Sequence, residues 1–245
     1  MPRTPAYDRD VLIDRARTLF WRQGWAGTSM RDLERELNLR PGSFYAAFGS
    51  KDALYGLALD RYAQLGAERL AALAEAHDPL GALKAHLRAV VSDPDVGARA
   101  CMLAKTLLEL RGEGNGQGIR KGNGKGNGEN NGEDNGEAGA GTLAGRAADH
   151  LARAEAAFAA LFCTAQDAGR IAPHHDPDRL ARRFQSDLLG LRVSAERPDV
   201  DALALADEIA EGLDALASIK RTSERGTAPS LADPSSDHPR TERAR

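Results

Sequence analysis

Between Thr28 and Lys51 the chain reads T-S-M-R-D-L-E-R-E-L-N-L-R-P-G-S-F-Y-A-A-F-G-S-K. Arg31, Arg40 and Lys51 supply positive charge, Ser43 and Tyr45 supply hydroxyls, and Ala46 supplies a bare methyl. Guanidinium and ammonium groups neutralise phosphates, while arginine and small side chains are the types that read base edges. A double-stranded nucleic acid is therefore the ligand this stretch suits. The competing reading is that these charges are ordinary solvated surface, and for a lone arginine that reading would win. The elements around the residues must decide.

Ser29-Met30-Arg31-Asp32 is a capping-box-like start for a short helix that runs to about Leu37. Asn38 lies in the tight connection Leu37-Asn38-Leu39-Arg40 and accepts the left-handed conformation such a turn often needs. Pro41 opens a second short helix at its first-turn position, ending near Phe48. Leu33, Leu37, Leu39, Phe44 and Phe48 are spaced to pack the two helices on each other and on an earlier helix. That earlier helix carries the stripe Leu12, Ala16, Leu19, Phe20 and stops at Gly24. This is the spacing of a helix-turn-helix, whose second helix enters the DNA major groove.

The run Gly42-Ser43-Phe44-Tyr45-Ala46-Ala47-Phe48-Gly49-Ser50-Lys51-Asp52-Ala53-Leu54 resembles the signature of the TetR (tetracycline-repressor) family. There a G-x-[LF]-Y-x-x-F recognition helix is followed by x-[SN]-K-x-x-L. The helix ending in Gly24 and the following Thr28 match as well. The close resemblance covers about residues 8–65 and extends loosely to about 220. This chain departs from the family at Leu37-Asn38-Leu39, where Ala-Gly-Val is frequent, and at Arg40, where Ser or Thr is usual. By resemblance and by chemistry, Lys51 and Tyr45 face phosphates, joined by the Thr28 hydroxyl and the Gly42 amide. Arg40, Ser43 and Ala46 face base edges, with Arg31 a further candidate. With several motif positions in register, DNA contact prevails over the solvated-surface reading.

Alanine and leucine far outnumber valine and isoleucine, and aromatic residues make up 5%. The chain is thus rich in helix formers, which predicts an all-α protein. About nine helices are expected. A three-helix DNA-binding domain occupies residues 1–51 and continues into a fourth helix capped by Ser50. A helical regulatory and dimerisation domain occupies 52–220. Residues 112–141 hold 12 Gly and 6 Asn in 30 positions and read as a flexible insertion. Residues 221–245 read as a disordered tail. Two cysteines are too few for a disulfide framework, no apolar run is long enough to span a bilayer, and no export signal is visible. A cytoplasmic, nucleoid-associated protein is the expectation. Residues 1–51 carry nine Lys/Arg against six Asp/Glu, whereas the whole chain has net charge −3. A basic head on an acidic body agrees weakly with a polyanion bound at one end.

The resemblance implies a homodimer on a palindromic operator and a pocket for a small-molecule effector of unknown identity. Tyr62, His86, Cys101, Phe158 and Phe184 are the candidate ligand-lining or sensing residues. The stretch around Cys101, Ala100-Cys101-Met102-Leu103 through Glu109-Leu110, resembles a cysteine-containing, electrophile-sensing (NemR-like) branch of the family. A structural cysteine is the competing and preferred reading. Cys163, among Phe158, Leu161 and Phe162, is expected in the core. His174-His175-Asp176 reads as a loop rather than a metal site, and no metal or cofactor is expected. The expected function is a repressor released by its effector. The alternatives are a ligand-dependent activator or co-repressor-type regulator, and a cysteine-dependent helical enzyme. No fixed Cys–His pair supports the last, so catalysis is not expected.

Overall fold

The computed structural model describes residues 8–92, 100–110 and 136–216, with 136–142 described by backbone alone. Among the described residues stand nine helices and no strand. They are α1 (Arg9–Gly27), α2 (Met30–Leu37), α3 (Pro41–Phe48), α4 (Lys51–Ala76), α5 (Pro79–Ser92), α6 (Met102–Leu110), α7 (Gly136–Asp167), α8 (Pro177–Ser194) and α9 (Ala202–Asp214). The expected all-α, nine-helix layout is the observed one. The tail 221–245 and most of the expected 112–141 insertion lie outside the described residues. From Gly136, however, the backbone is helical, so α7 begins seven residues before its expected start at Leu143. Extending a helix already nucleated is far less costly than starting one, even through glycines.

Local chemistry sets the helix ends in the first third of the chain. The Ser29–Asp32 capping box forms in both directions, with Asp32 N–H donating to Ser29 Oγ at 3.2 Å and Ser29 N–H donating to Asp32 Oδ2 at 3.1 Å. These bonds from Ser29 hold the Asp32 carboxyl below its ordinary range. Asn38 closes α2 at φ 52°, in the left-handed region its side chain tolerates. Arg40 gives α3 no side-chain cap, and Pro41 starts that helix at its first turn. Ser50 Oγ accepts from Ala53 N–H at 3.0 Å to open α4.

The break in α1 organises more than any cap. Gly24 sits at φ 77°, ψ 175°, a conformation essentially reserved for glycine. The break leaves carbonyls without partners before it and N–H groups without partners after it. Two residues one turn apart on α6 serve both sides. Lys105 Nζ donates to the Trp21 carbonyl at 2.8 Å and the Arg22 carbonyl at 3.4 Å. Glu109 Oε2 accepts from Trp25 N–H at 2.8 Å and Ala26 N–H at 3.4 Å. Thr28 Oγ1 adds a hydrogen bond to the Gly24 carbonyl at 2.6 Å.

Two apolar cores result. One joins Leu12, Phe20, Leu33, Phe44 and Phe48 of the first three helices to Tyr55 of α4, Met102 of α6 and Leu143 of α7, and so runs across Lys51 without interruption. The phenol of Tyr55 is buried in it and donates to Thr106 Oγ1 at 2.8 Å, because the Thr106 proton is used on the Met102 carbonyl at 2.9 Å. Burial pushes the Tyr55 phenol up to about 12. The second core lies between α5, α7, α8 and α9 around Leu83, Leu87, Phe162 and Phe184. Arg88–Asp207 and Lys84–Asp214 link α5 to α9 at its rim. No described helix is long and apolar enough to cross a membrane.

Two further expectations meet the coordinates here. Cys163 is exposed rather than in the core. Phe158, Phe162 and Ala165 follow the helical period inward, which turns position 163 out to solvent. The His174–Asp176 segment is a loop, as read, and the Asp176 carboxylate is engaged as the N-cap of α8.

Replacing Gly24 by alanine tests the α1 break. A Cβ there would stand 2.0 Å from Glu109 Oε1, and the backbone conformation alone costs alanine on the order of 1–3 kcal/mol. Urea denaturation of Gly24→Ala should show a loss of about 3 kcal/mol; a change below about 0.5 kcal/mol would mean that the break relaxes freely.

Candidate nucleic-acid interface and the cavity behind it

α3 is amphipathic by burial. Phe44 and Phe48 are buried and hold it against the first core, whereas Arg40, Gly42, Ser43, Tyr45 and Ala46 all face solvent. Tyr45 is 54% exposed although its ring edge rests on Phe44. A Cβ on Gly42 would meet no atom within 4 Å, so nothing covers the backbone at the start of this helix. Arg31, on α2, is also exposed. Of the eight residues expected to contact DNA, the structure thus displays five at the start and on the solvent face of α3 and a sixth, Arg31, exposed on α2, with Lys51 as the seventh at the start of α4.

Lys51 opens α4 and is partly buried, with its ammonium 4.3 Å from the centre of the Trp25 ring. Trp25 Nε1 donates to Asp52 Oδ1 at 2.7 Å, so the indole is fixed between α1 and α4. Thr28 is the exception. Its side chain is 1% exposed and its hydroxyl donates to the Gly24 carbonyl. The expected phosphate contact by this hydroxyl is corrected: the hydroxyl closes the α1 break and does not reach the surface.

Behind the head lies a cavity of about 660 Å³ bounded by α1, α4, α5, α7 and α8. Of the five candidates, Tyr62, His86, Cys101 and Phe158 line it. Phe184 does not. Its ring packs behind Phe158, at 4.9 Å between centroids, and against Phe162 at 6.0 Å, so it belongs to the second core. Cys101 is buried immediately before α6. Burial, with the Cys101 thiol as neighbour, pushes the Tyr62 phenol up. Desolvation pulls His86 down to about 4, aided by the charges of Arg192 and Arg69.

Comparison with known proteins follows this geometry closely. Residues 12–57 match the family model described as bacterial regulatory proteins, tetR family. The head is a TetR-family domain. Over 60 residues the chain is 38% identical to the HTH-type transcriptional repressor ComR of Escherichia coli K12, a match covering 24% of this chain and 29% of ComR. The likeness to this curated relative is thus confined to under a third of its length. Over the whole fold, the TetR-family regulator CifR, solved as a cysteine mutant with a 26-base-pair operator duplex, is 25% identical with a TM-score of 0.66. That match covers 85% of this chain and 98% of CifR. The reduced form of Escherichia coli NemR shares the fold at 14% identity and a TM-score of 0.65, over 86% and 97% of the two chains.

Several residues that matter to this structure escaped the sequence reading. Trp21 and Arg192 line the cavity, and Trp21 Nε1 donates to the Ala100 carbonyl at 2.6 Å, next to Cys101. Lys105 and Glu109 hold the break in α1. The spacing of Lys105 and Glu109, four apart on a helix, announces a shared face, but nothing local tells which backbone that face meets.

His86 makes a pH prediction. Its pKa is lower in the folded protein than the 6.5 of the free side chain. As pH falls below 6.5 the unfolded chain takes up the proton first, so stability declines until about pH 4, where the folded protein also protonates. The loss amounts to about 3 kcal/mol by linkage. Urea unfolding at pH 7 and pH 4.5 should show a smaller drop in His86→Phe than in the native chain; equal drops would show that His86 is not a buried neutral imidazole.

Proposed function

We propose that the chain is a homodimeric, sequence-specific DNA-binding regulator, and a repressor released from a palindromic operator by a small molecule. The observation that carries this reading is the uncovered face of α3, displayed by a helix-turn-helix of matching family. Residues 1–51 form the DNA-binding unit and 52–220 the regulatory and dimerisation unit. Arg40, Ser43 and Ala46 meet base edges, with Arg31 at the margin, while Tyr45, Lys51 and the Gly42 amide meet phosphates. Relatives named as repressors, and a related structure that holds operator DNA, support the assignment. Such a protein works in the cytoplasm, on the nucleoid.

Dimerisation follows from the target, since two recognition helices must reach half-sites roughly 34–36 Å apart. Val193 near the end of α8 and Leu203 near the start of α9 are 62% and 48% exposed. They offer apolar surface for a bundle of these helices with their symmetry mates. Release needs only that the effector bind more tightly to a conformation whose heads miss the half-site spacing. The cavity is placed for this, because Trp21 is at once part of its wall and part of the helix that carries the head. Cys101 is read as a structural residue of the same wall.

Selection of sheared genomic DNA on the purified protein should enrich one short palindrome. On that sequence Lys51→Ala and Tyr45→Ala should weaken binding by about 1–3 kcal/mol, nearly equally for related sites; Lys51→Ala should also lower the salt dependence by roughly one phosphate contact, whereas loss of the uncharged Tyr45 phenol should leave it unchanged. Arg40→Ala should instead relax the preference at one base pair of each half-site. Unselective retention, or variants that bind as the native chain does, would contradict the reading.

A further inference from the structure

The cavity has a definite chemical character. Trp21, Leu70, Val90, Phe158 and Leu188 give it apolar walls. Three buried polar atoms of lining residues have no hydrogen-bond partner, Arg17 Nε, the Tyr62 hydroxyl and His86 Nδ1; Arg17 is ion-paired with Asp14, which leaves the other two. His86 is only 7% exposed, and its ring leans on Phe158 at 5.7 Å. Buried polar atoms in native proteins nearly always have partners, so two on the wall of one cavity point to a guest that supplies them.

Charge narrows the guest further. The Arg192 guanidinium lies 5.7 Å from the Trp21 ring centre and 5.9 Å from that of Tyr62. It also acts on His86, so the two unpartnered atoms share one cationic neighbour. Arg17, Arg22, Arg69 and Arg153 stand elsewhere on the lining, against Asp60 as the lone carboxylate there among the described residues. Asp60 is engaged by Arg146 at 3.1 Å and by His150 at 2.8 Å, and Arg17 faces Asp14 at 3.4 Å. Among the described residues the lining is therefore apolar over most of its walls and carries more cationic than anionic side chains. A cation would be repelled, and a neutral polar guest would gain hydrogen bonds but no charge pairing.

We propose that this cavity binds a small organic acid, with a carboxylate-like headgroup held by Arg192, Tyr62 and His86 and a compact aromatic or branched hydrocarbon body against Trp21 and Phe158. The Tyr62 hydroxyl donates to one oxygen of the acid. His86, in the tautomer that carries its proton on Nδ1, donates as well. The inference rests on reading the cavity as the effector site and adds the chemical class of the effector.

Three probes of one shape and different charge separate these claims: 1-naphthoate, naphthalene-1-carboxamide and 1-naphthylmethylammonium, titrated calorimetrically into the full chain. Naphthoate should bind at least tenfold more tightly than the amide, with the amine weakest. The preference should shrink to under threefold in Arg192→Gln and in His86→Phe. An amide or amine that binds the native chain as well as naphthoate overturns the proposal, whatever the variants do. If none of the three binds, the proposal falls; the effector-site reading falls separately, if filling the cavity by Leu188→Trp leaves release of operator DNA by a cell extract unchanged. Selective binding of naphthoate without release of operator DNA leaves the acid site standing and removes its regulatory role.

Discussion

The structure depends on how the interruption at Gly24 is closed. A helix broken in its last third exposes backbone groups on both sides, and here they are satisfied from a distant element rather than by local caps. Lys105 takes the carbonyls before the break and Glu109 the N–H groups after it. Their four-residue spacing on α6 matches the two sides of one helical interruption. A buried or half-buried N–H left without its acceptor is more costly than the average hydrogen bond is stabilising. The head is therefore fastened to the body by groups that cannot simply be released to each other.

That fastening explains why the head and the cavity are one mechanical unit. Trp21 sits one turn before Gly24, lines the cavity, and is held by its carbonyl to Lys105 and by its indole to Ala100. Tyr62, on the helix that Lys51 opens, lines the same space and meets Trp21 edge-on at 5.2 Å. Arg61 on that helix makes two 3.1 Å hydrogen bonds to Asp14 of α1, and they hold the Asp14 carboxyl below its ordinary range. Trp21 and Tyr62 thus bring both α1 and α4, the helices packed against the helix-turn-helix, to the cavity wall. The exposed residues of α3 are tied to both helices, because Phe44 and Phe48 share one core with Leu12 and Phe20 of α1 and Leu54 and Tyr55 of α4.

Much of this was legible in the sequence, and the reason is locality. The Ser29–Asp32 box, the left-handed Asn38, Pro41 at a first turn and the Ser50 cap are decided by residues within a few positions of one another. The helix-turn-helix and its outward face followed from them. What the sequence concealed depends on distant contacts. Thr28 has the right type for a phosphate contact, yet the Gly24 carbonyl one turn away claims its hydroxyl. Phe184 and Phe158 have equal claims to a pocket until their stacking places one in front of the other. Cys163 was misplaced because an apolar neighbourhood in sequence is not an apolar neighbourhood on a helix, where one position is a turn of about 100°. The pairing of α6 with the α1 break spans some eighty residues and carries no local signal.

Hydrogen exchange at the backbone amides of Trp25 and Ala26 tests the fastening most directly, in the native chain and in Glu109→Ala. The account predicts that these two amides exchange at least tenfold faster in the variant. Protection across residues 8–48 should fall with them, while the core of α7, α8 and α9 keeps its protection. Equal exchange of the two amides in both proteins, with an undisturbed head, would show that Glu109 does not hold the break and that head and body are joined by other means.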